Sequence, residues 1–293
     1  MKKILTFISC FLLAVGFLNF SSCSTPTIKK NTLTVSIPPQ KYLLKKIVGN
    51  KFEVYSLLPP GMNTEHYDPT INQLSSLQKS KAFFRIGNIG YETASIQKIS
   101  ENFPDVEIIN TAKGISYIYG THNHHHGRHH HDVDPHIWSS VKNAKIIAKN
   151  MYDAIIVLDP SNKKLYTQNF ENLNNELDAL NDSIAKQLES HKGETFIVWH
   201  PSLSYFARDY GLKQLSIEYE GKEISAKQLQ TKIDAAKATN PKIFFFQKEY
   251  DSRQSEVISN EIGTKLIPVN LLSEDWEKEM LFITNAFTSE TTD

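Results

Sequence analysis

Three histidines that lie far apart in the sequence have the chemistry to share one metal ion. They are His66, His136 and His200, and each stands in a short segment at the end of a predicted strand or the start of a predicted helix. Zn²⁺ accepts imidazole nitrogen at about 2.0–2.1 Å in tetrahedral geometry. Taken singly, each histidine is more often a hydrogen-bonded structural residue. Taken together, they favour a zinc site that the fold would have to assemble.

The sequence does not determine the fourth ligand of such an ion. Three neutral imidazoles leave the full charge of the ion on the site, so a carboxylate or a water as fourth ligand would lower or spread that charge. Glu65, adjacent to His66, is the nearest carboxylate, and Asp68 is equally able to orient an imidazole N–H. His191 is assigned no metal role, because it ends a predicted helix, where a histidine interacts well with the helix dipole. Imidazole must lose its proton to bind zinc, so affinity should fall as pH drops through about 6.5.

A second group of histidines is concentrated between residues 121 and 132. Seven of the eleven histidines of the chain fall there: His122, His124, His125, His126, His129, His130 and His131. The segment has no apolar residue for a core, and its composition predicts a mobile loop. Such a tract binds divalent metal weakly at several points. It could collect zinc and raise the local concentration near His136, or sense zinc abundance, and the sequence leaves both readings open.

The first 22 residues have the pattern of a secretory signal. Two lysines precede an apolar stretch that ends in Phe20-Ser21-Ser22-Cys23, and small residues before a cysteine resemble a bacterial lipobox. Cleavage there would make Cys23 the lipidated first residue, with an ordinary signal peptide as the alternative. Residues 23–31 are predicted to be a tether. Cys10 lies within the signal, so the mature chain has no disulfide and no thiolate metal site.

Beyond the tether, strand-like and helix-like segments alternate in two series, which predicts βαβ units. The first series has strands near residues 33–37, 52–58, 82–86 and 106–110. The second has strands near residues 195–199, 214–218, 243–247 and 265–269. The predicted fold class is therefore α/β, with two lobes whose mostly parallel sheets carry helices on both faces. In open α/β sheets, ligands bind at the carboxyl ends of strands, where His66 and His200 lie.

The segment between the two series predicts one long, rigid linking helix over residues 161–192. A helix-start signal precedes it, and no Gly or Pro follows from residue 162 to residue 191. Apolar residues recur there at spacings of three and four, which marks one buried face. They are Leu173, Leu177, Leu180, Ile184 and Leu188. Two shorter helices with a break are the alternative. The predicted lobes are residues 32–160 and 193–293.

Composition excludes some classes of partner. Residues 23–293 hold 30 Lys and Arg against 32 Asp and Glu, because Lys2 and Lys3 leave with the signal, so the net charge is −2. Without a basic excess, no nucleic acid partner is predicted. No second apolar run is long enough to span a bilayer. Attachment to the lipid bilayer would therefore depend on the N-terminal lipid anchor alone.

Three motifs stand in order along the chain, with the His-rich insert between the first two. They are Glu65-His66-Tyr67-Asp68-Pro69, Asp134-Pro135-His136-Ile137-Trp138 and His200-Pro201-Ser202-Leu203-Ser204-Tyr205-Phe206-Ala207. Together they resemble the zinc-uptake solute-binding proteins of bacterial ABC transporters, over nearly all of residues 32–293. The resemblance implies a zinc site between the lobes, with His66 and His136 from the first and His200 from the second. It also implies a monomeric lipoprotein of the periplasmic side that delivers Zn²⁺ to the membrane permease of an ABC importer.

One position departs from the family pattern. Many relatives carry an aspartate ligand in the second lobe where this chain has Asn270, and a neutral amide is a poorer zinc ligand than a carboxylate. The fourth ligand is therefore predicted to be Glu65 or water, with Asn270 a distant third. In manganese-type relatives the third histidine position is usually a carboxylate. His200 thus favours zinc, in keeping with the preference of imidazole for zinc over harder ions.

Two other functions compete with zinc capture. Three histidines with an open fourth position also describe a catalytic zinc that activates water, so a zinc-dependent hydrolase with Glu65 as general base is one alternative. The chain has no His-Glu-x-x-His helix, and a lipobox with two lobes fits capture better, so we predict a protein that is not an enzyme. A surface adhesin or metal buffer that depends on the His-rich loop is the second alternative.

Overall fold

The computed structural model describes residues 31–65, 67–120, 133–218, 225–250 and 252–289. Several sequence predictions fall outside these ranges. They are the ligand role of His66, the metal-collecting role of the seven histidines between 121 and 132, the signal peptide and the lipidation of Cys23. Within the described ranges, no helix is both long and apolar enough to cross a membrane.

The first half contains a four-stranded parallel sheet. Its strands are β1 (Thr32–Val35), β2 (Glu53–Ser56), β3 (Ala82–Arg85) and β4 (Glu107–Asn110). The helices among them are α1 (Pro38–Val48), α2 (Ile71–Gln78) and α3 (Gly90–Asn102). The strand order is β2-β1-β3-β4, and every neighbouring pair is parallel. The direction of winding reverses between β1 and β3, which leaves a crevice at the carboxyl ends of those strands.

Two helices follow this sheet, α4 (Val141–Leu158) and α5 (Lys163–Gln187). The apolar face of α5 is buried as its periodicity predicts, at Leu173, Leu177, Leu180 and Ile184. The single long helix is therefore confirmed, but its regular part is shorter than predicted. One turn of 3₁₀ helix extends it at each end, beginning with Pro160 and ending with His191. The backbone then turns at Gly193, whose φ is +85°, a conformation that glycine adopts without strain.

The second half repeats the first in its topology. Its strands are β5 (Thr195–Val198), β6 (Lys213–Ser216), β7 (Ile243–Gln247) and β8 (Lys265–Val269). Its helices are α6 (Ser204–Tyr210), α7 (Ala226–Ala238), α8 (Ser252–Ile262) and α9 (Trp276–Thr288). The strand order is β6-β5-β7-β8, again with every pair parallel. The predicted α/β class with two parallel sheets is confirmed.

One hydrophobic cluster runs through both halves of the molecule. It contains Phe83 from the first sheet, Leu177 from α5, and Phe245 with Met280 from the second half. A smaller cluster covers the other face of the second sheet and includes Phe244, because successive side chains of a strand point to opposite faces. The two sheets thus share a core.

Candidate metal centre

His136 is held by the aspartate two residues before it. The imidazole Nδ1 of His136 lies 3.0 Å from Asp134 Oδ1, and the His136 backbone N–H donates to the same oxygen at 2.9 Å. Burial alone would raise the pKa of Asp134, but its hydrogen bonds and charge interaction with His136 lower that pKa below its usual range. Ser140 then caps α4, so the helix begins at Val141, five residues after His136. A carboxylate on Nδ1 favours the tautomer whose proton is on Nδ1, which leaves Nε2 free to bind a metal.

His200 follows β5 on a loop whose backbone is fixed from several sides. The His200 carbonyl accepts the Ser202 N–H at 2.8 Å and the Gln247 side-chain amide at 3.3 Å. Gln247 ends β7, the neighbour of β5 at the point where the winding of the second sheet reverses. The ring of Tyr250 stacks on the imidazole, with centroids 5.4 Å apart and an angle of 19°. His200 is therefore placed at the crevice where α/β folds bind ligands.

The structure brings His136 and His200 together from opposite halves. Their Nε2 atoms are 3.3 Å apart, and both residues are almost fully buried, at 5% and 3% exposure. Zinc bonds of about 2.0–2.1 Å in tetrahedral geometry place neighbouring ligand atoms about 3.3 Å apart. The two imidazoles already have the separation of two corners of such a tetrahedron.

Glu65 reaches the same point from the loop between β2 and α2. Its Oε1 lies 3.2 Å from His200 Nε2, which also matches a tetrahedral edge. No set of three His, Cys, Asp or Glu side chains within the described ranges meets the full geometry of a metal site. His66, the residue next to Glu65, lies outside those ranges. Asp68 is exposed, and Asn270 donates its backbone N–H to Glu279 Oε1 at 2.7 Å.

A second carboxylate beside His200 was not predicted. Glu218 Oε2 lies 3.5 Å from His200 Nδ1, on the side of the ring away from Glu65. The sheet explains this placement, because Val198 pairs with Ser216. Two residues further along each parallel strand, His200 and Glu218 stand side by side on the same face. Both residues were predicted to lie at strand ends, so the available signal was the neighbour relation of the two strands.

The two carboxylates change the acid–base behaviour of His200. Burial lowers the pKa of this imidazole, but the nearby carboxylates of Glu218 and Glu65 outweigh burial and raise it to about 9. The sequence predicted that protons compete with zinc for the imidazoles near the ordinary histidine pKa. For His200 the structure predicts this competition at higher pH, because an imidazolium between two carboxylates releases its proton less readily.

A small cavity adjoins the two imidazoles. Its volume is about 30 Å³, and its walls include His136, His200, Trp138 and Gln247. Two buried polar atoms of these walls, the Trp138 indole nitrogen and the Gln247 amide oxygen, have no hydrogen-bond partner among the described residues. Space of this size accommodates an ion or a water molecule, and its polar walls suit such an occupant.

Gly90 sets the position of the loop that carries Glu65. A Cβ on Gly90 would lie 2.6 Å from the Glu65 carbonyl oxygen and 3.0 Å from its Cα. Gly90→Ala must therefore move backbone rather than a flexible side chain. We expect it to weaken zinc binding by at least about tenfold, because coordination depends on ligand placement. Chelator competition measures the loss, and Ser100→Ala on the exposed side of α3 is the matched control. Equal affinities for the two variants would contradict this role of Gly90.

The sequence also matches known proteins over most of its length. The sequence profile of the family described as "Zinc-uptake complex component A periplasmic" matches residues 33–287. The chain belongs to this family. The resemblance that the three motifs indicated is thus confirmed.

Family relatives and solved structures extend the match. The "High-affinity zinc uptake system protein ZnuA" of Bacillus subtilis is 28% identical, and the alignment covers 90% of this chain and 86% of that protein. A crystal structure of ZnuA has a TM-score of 0.80 at 34% identity, covering 87% of this chain and 97% of that one. A ZnuA deletion mutant with zinc bound has a TM-score of 0.81 at 33% identity, covering 89% and 98%.

Manganese proteins also occur among the relatives of this family. The "Manganese ABC transporter substrate-binding lipoprotein PsaA" of Streptococcus anginosus is 24% identical, and the alignment covers 89% of this chain and 87% of that protein. The choice between zinc and manganese for this chain therefore has to be argued from its own side chains.

Proposed function

We propose that this protein captures Zn²⁺ in the bacterial cell envelope and delivers it to the membrane permease of an ABC importer. His66, His136 and His200 bind the ion, and Glu65 occupies the fourth position. The observation that carries the proposal is the 3.3 Å separation of the His136 and His200 Nε2 atoms. Membership of a zinc-uptake family and the zinc-bound ZnuA relative support it.

The side chains favour zinc over manganese. Imidazole nitrogen suits zinc, whereas manganese prefers carboxylate and other oxygen ligands. His200 and His136 supply two imidazoles, and His66 stands next to Glu65 in the sequence to supply a third.

The competing functions receive less support. A hydrolase would need a polarised water and room for an organic substrate, but the cavity beside His136 and His200 is only about 30 Å³. Two relatives that match this chain over most of its length are named as a zinc uptake system protein and a putative metal-binding protein. An adhesin or metal buffer built on residues 121–132 would not need the buried pair of imidazoles.

Several features of the chain belong to the same proposal. Residues 1–22 direct secretion, Cys23 carries a lipid, and residues 23–31 tether the fold to the membrane. The lobes at 32–160 and 193–293 act as a monomer joined by the helical segment 161–192. The "Zinc-binding lipoprotein AdcA" of Streptococcus pneumoniae is a lipid-anchored relative by its name, and this supports the anchor.

A metal titration joined to an uptake assay tests the proposed function. Calorimetry of the purified protein should find one tight zinc site, with manganese bound at least about a hundredfold more weakly, as expected for a histidine-rich site. Cells that lack the protein should accumulate less radioactive zinc from zinc-poor medium, and the wild-type protein should restore uptake. A protein without tight zinc binding, or uptake that does not depend on it, would refute the proposal.

Deletion of the His-rich segment tests whether tight zinc binding depends on the buried histidines or on residues 121–132. Tyr119 and Val133 form an antiparallel bridge, and the Asp134 N–H donates to the Ile118 carbonyl at 2.9 Å. Because these contacts hold the two ends of the segment together, residues 121–132 can be replaced by a short Gly-Ser linker. We expect the weak sites to disappear and one tight zinc site to remain with unchanged affinity. Loss of the tight site in calorimetry would show that the segment, and not the cleft, holds the ion.

A further inference from the structure

Each described imidazole of the metal centre has its own carboxylate on Nδ1. His136 has Asp134 at 3.0 Å, within hydrogen-bond distance. His200 has Glu218 at 3.5 Å, slightly beyond it. Both His200 Nδ1 and Glu218 Oε2 are buried, and neither has a hydrogen-bond partner in the described part of the chain. Two buried polar atoms of opposite character thus face each other, and the described residues offer neither of them another hydrogen-bond partner.

The position of Glu218 is fixed by the strand that precedes it. Its backbone N–H donates to the Trp199 carbonyl at 2.9 Å, which extends the pairing of β5 and β6 as far as the site. The Lys232 ammonium donates to the Ser216 carbonyl at 2.8 Å and to the Glu218 carbonyl at 3.3 Å. These contacts hold the end of β6 beside His200. The carboxylate is therefore presented to the imidazole by the sheet.

We propose that Glu218 is a positioning residue for zinc binding, whose carboxylate accepts a hydrogen bond from the His200 Nδ1–H and so directs the Nε2 lone pair at the ion. This inference rests on the proposed function, since it concerns the same site. Metal-bound histidines commonly donate their second N–H to a carboxylate, and such partners strengthen the ligand and fix the ring. A shift of roughly half an ångström closes the gap to a hydrogen bond. The buried negative charge also offsets part of the charge of the ion.

Two variants of Glu218 separate its charge from its shape. Glu218→Gln retains an oxygen that can accept a hydrogen bond from the His200 Nδ1–H but removes the negative charge. Glu218→Ala removes both the acceptor and the charge. Zinc affinity of the purified protein should fall about 10- to 100-fold in Glu218→Ala, and by a smaller factor in Glu218→Gln. Glu194→Gln is the matched control, because Glu194 Oε1 lies 3.1 Å from His191 Nδ1, a histidine–carboxylate pair outside the site.

Nitrogen NMR of the zinc-loaded protein supplies a signature that a merely structural role would not change. In the wild-type protein and in Glu218→Gln, the His200 Nδ1–H signal should be protected from exchange with water, and in Glu218→Ala it should exchange faster. The inference is overturned if Glu218→Ala, still folded, binds zinc within about twofold of Glu194→Gln, or if its Nδ1–H signal is unchanged. If Glu218→Ala does not fold, the same comparison made on Glu218→Gln decides the question. Absence of tight binding in the wild-type protein would instead refute the proposed function itself.

Discussion

Replacing His200 with alanine is expected to weaken zinc binding by at least about a hundredfold. Four ligands of a structural zinc site together supply roughly 10–16 kcal/mol, so loss of one costs about 3 kcal/mol, which corresponds to more than a hundredfold in affinity. His136→Ala should have a similar effect, because its Nε2 lies 3.3 Å from that of His200. Chelator competition at constant pH measures both losses.

The control for these variants is a histidine outside the centre. His191→Ala removes an imidazole that pairs with Glu194, and it should leave the tight site unchanged. His200→Gln keeps most of the side-chain volume between Glu65 and Glu218, so it separates loss of a ligand from repulsion between the two carboxylates. A folded His200→Gln protein that binds zinc as tightly as the His191→Ala protein would remove His200 from the proposed ligand set.

The second large effect is a steep dependence of zinc affinity on pH. His200 has a pKa of about 9, so its ring is protonated at neutral pH and must release that proton when zinc binds. Affinity should therefore rise about tenfold per pH unit from about 6.5 to 9 and then level off. Calorimetry in buffers of different ionisation enthalpy should find close to one proton released per zinc near pH 7.5. An affinity that is flat between pH 7 and 9 would contradict this assignment.

The metal-free protein should show the opposite trend in stability. The folded pKa of His200, about 9, lies above the ordinary histidine value of 6.5, so the protonated ring stabilises the fold below about pH 6.5. This stabilisation is lost as pH rises through 9, and the free energy of unfolding should fall by on the order of 3 kcal/mol. Thermal melting of the metal-free protein at several pH values tests it, and His200→Gln should lack this decline.

The parts of the fold that depend on local pattern were predicted well. Alternation of strand-like and helix-like segments gave the α/β class, and the spacing of Leu173, Leu177 and Leu180 gave the buried face of α5. The helix ends were less accurate, since Pro160 and Gly193 limit the regular helix through backbone geometry that spacing does not report. Local patterns indicate where an element forms better than where it ends.

The site was predicted in part, and the reason for the omission is specific. His136 and His200 were chosen for their residue type and their places at element ends, and the structure brings them together. Glu218 was missed because its relation to His200 exists only once β5 and β6 are neighbours with Val198 opposite Ser216. Asp134 stands in the same motif as His136, and the structure shows that its carboxylate orients this ring from two residues away. The partnership of Glu218 with His200 therefore required the sheet, whereas Asp134 lies close enough to His136 in the sequence to meet it locally.

The bridge between Tyr119 and Val133 also bears on how this chain can evolve. Since the two ends of the 121–132 segment meet at that bridge, insertions and deletions between them need not shift Asp134 or His136. Histidines in this segment can therefore be added or removed one at a time. A change at His136 or His200 must instead remain compatible with several packed and hydrogen-bonded neighbours at once. Changes in the length or composition of residues 121–132 can therefore accumulate without displacing the proposed ligand His136.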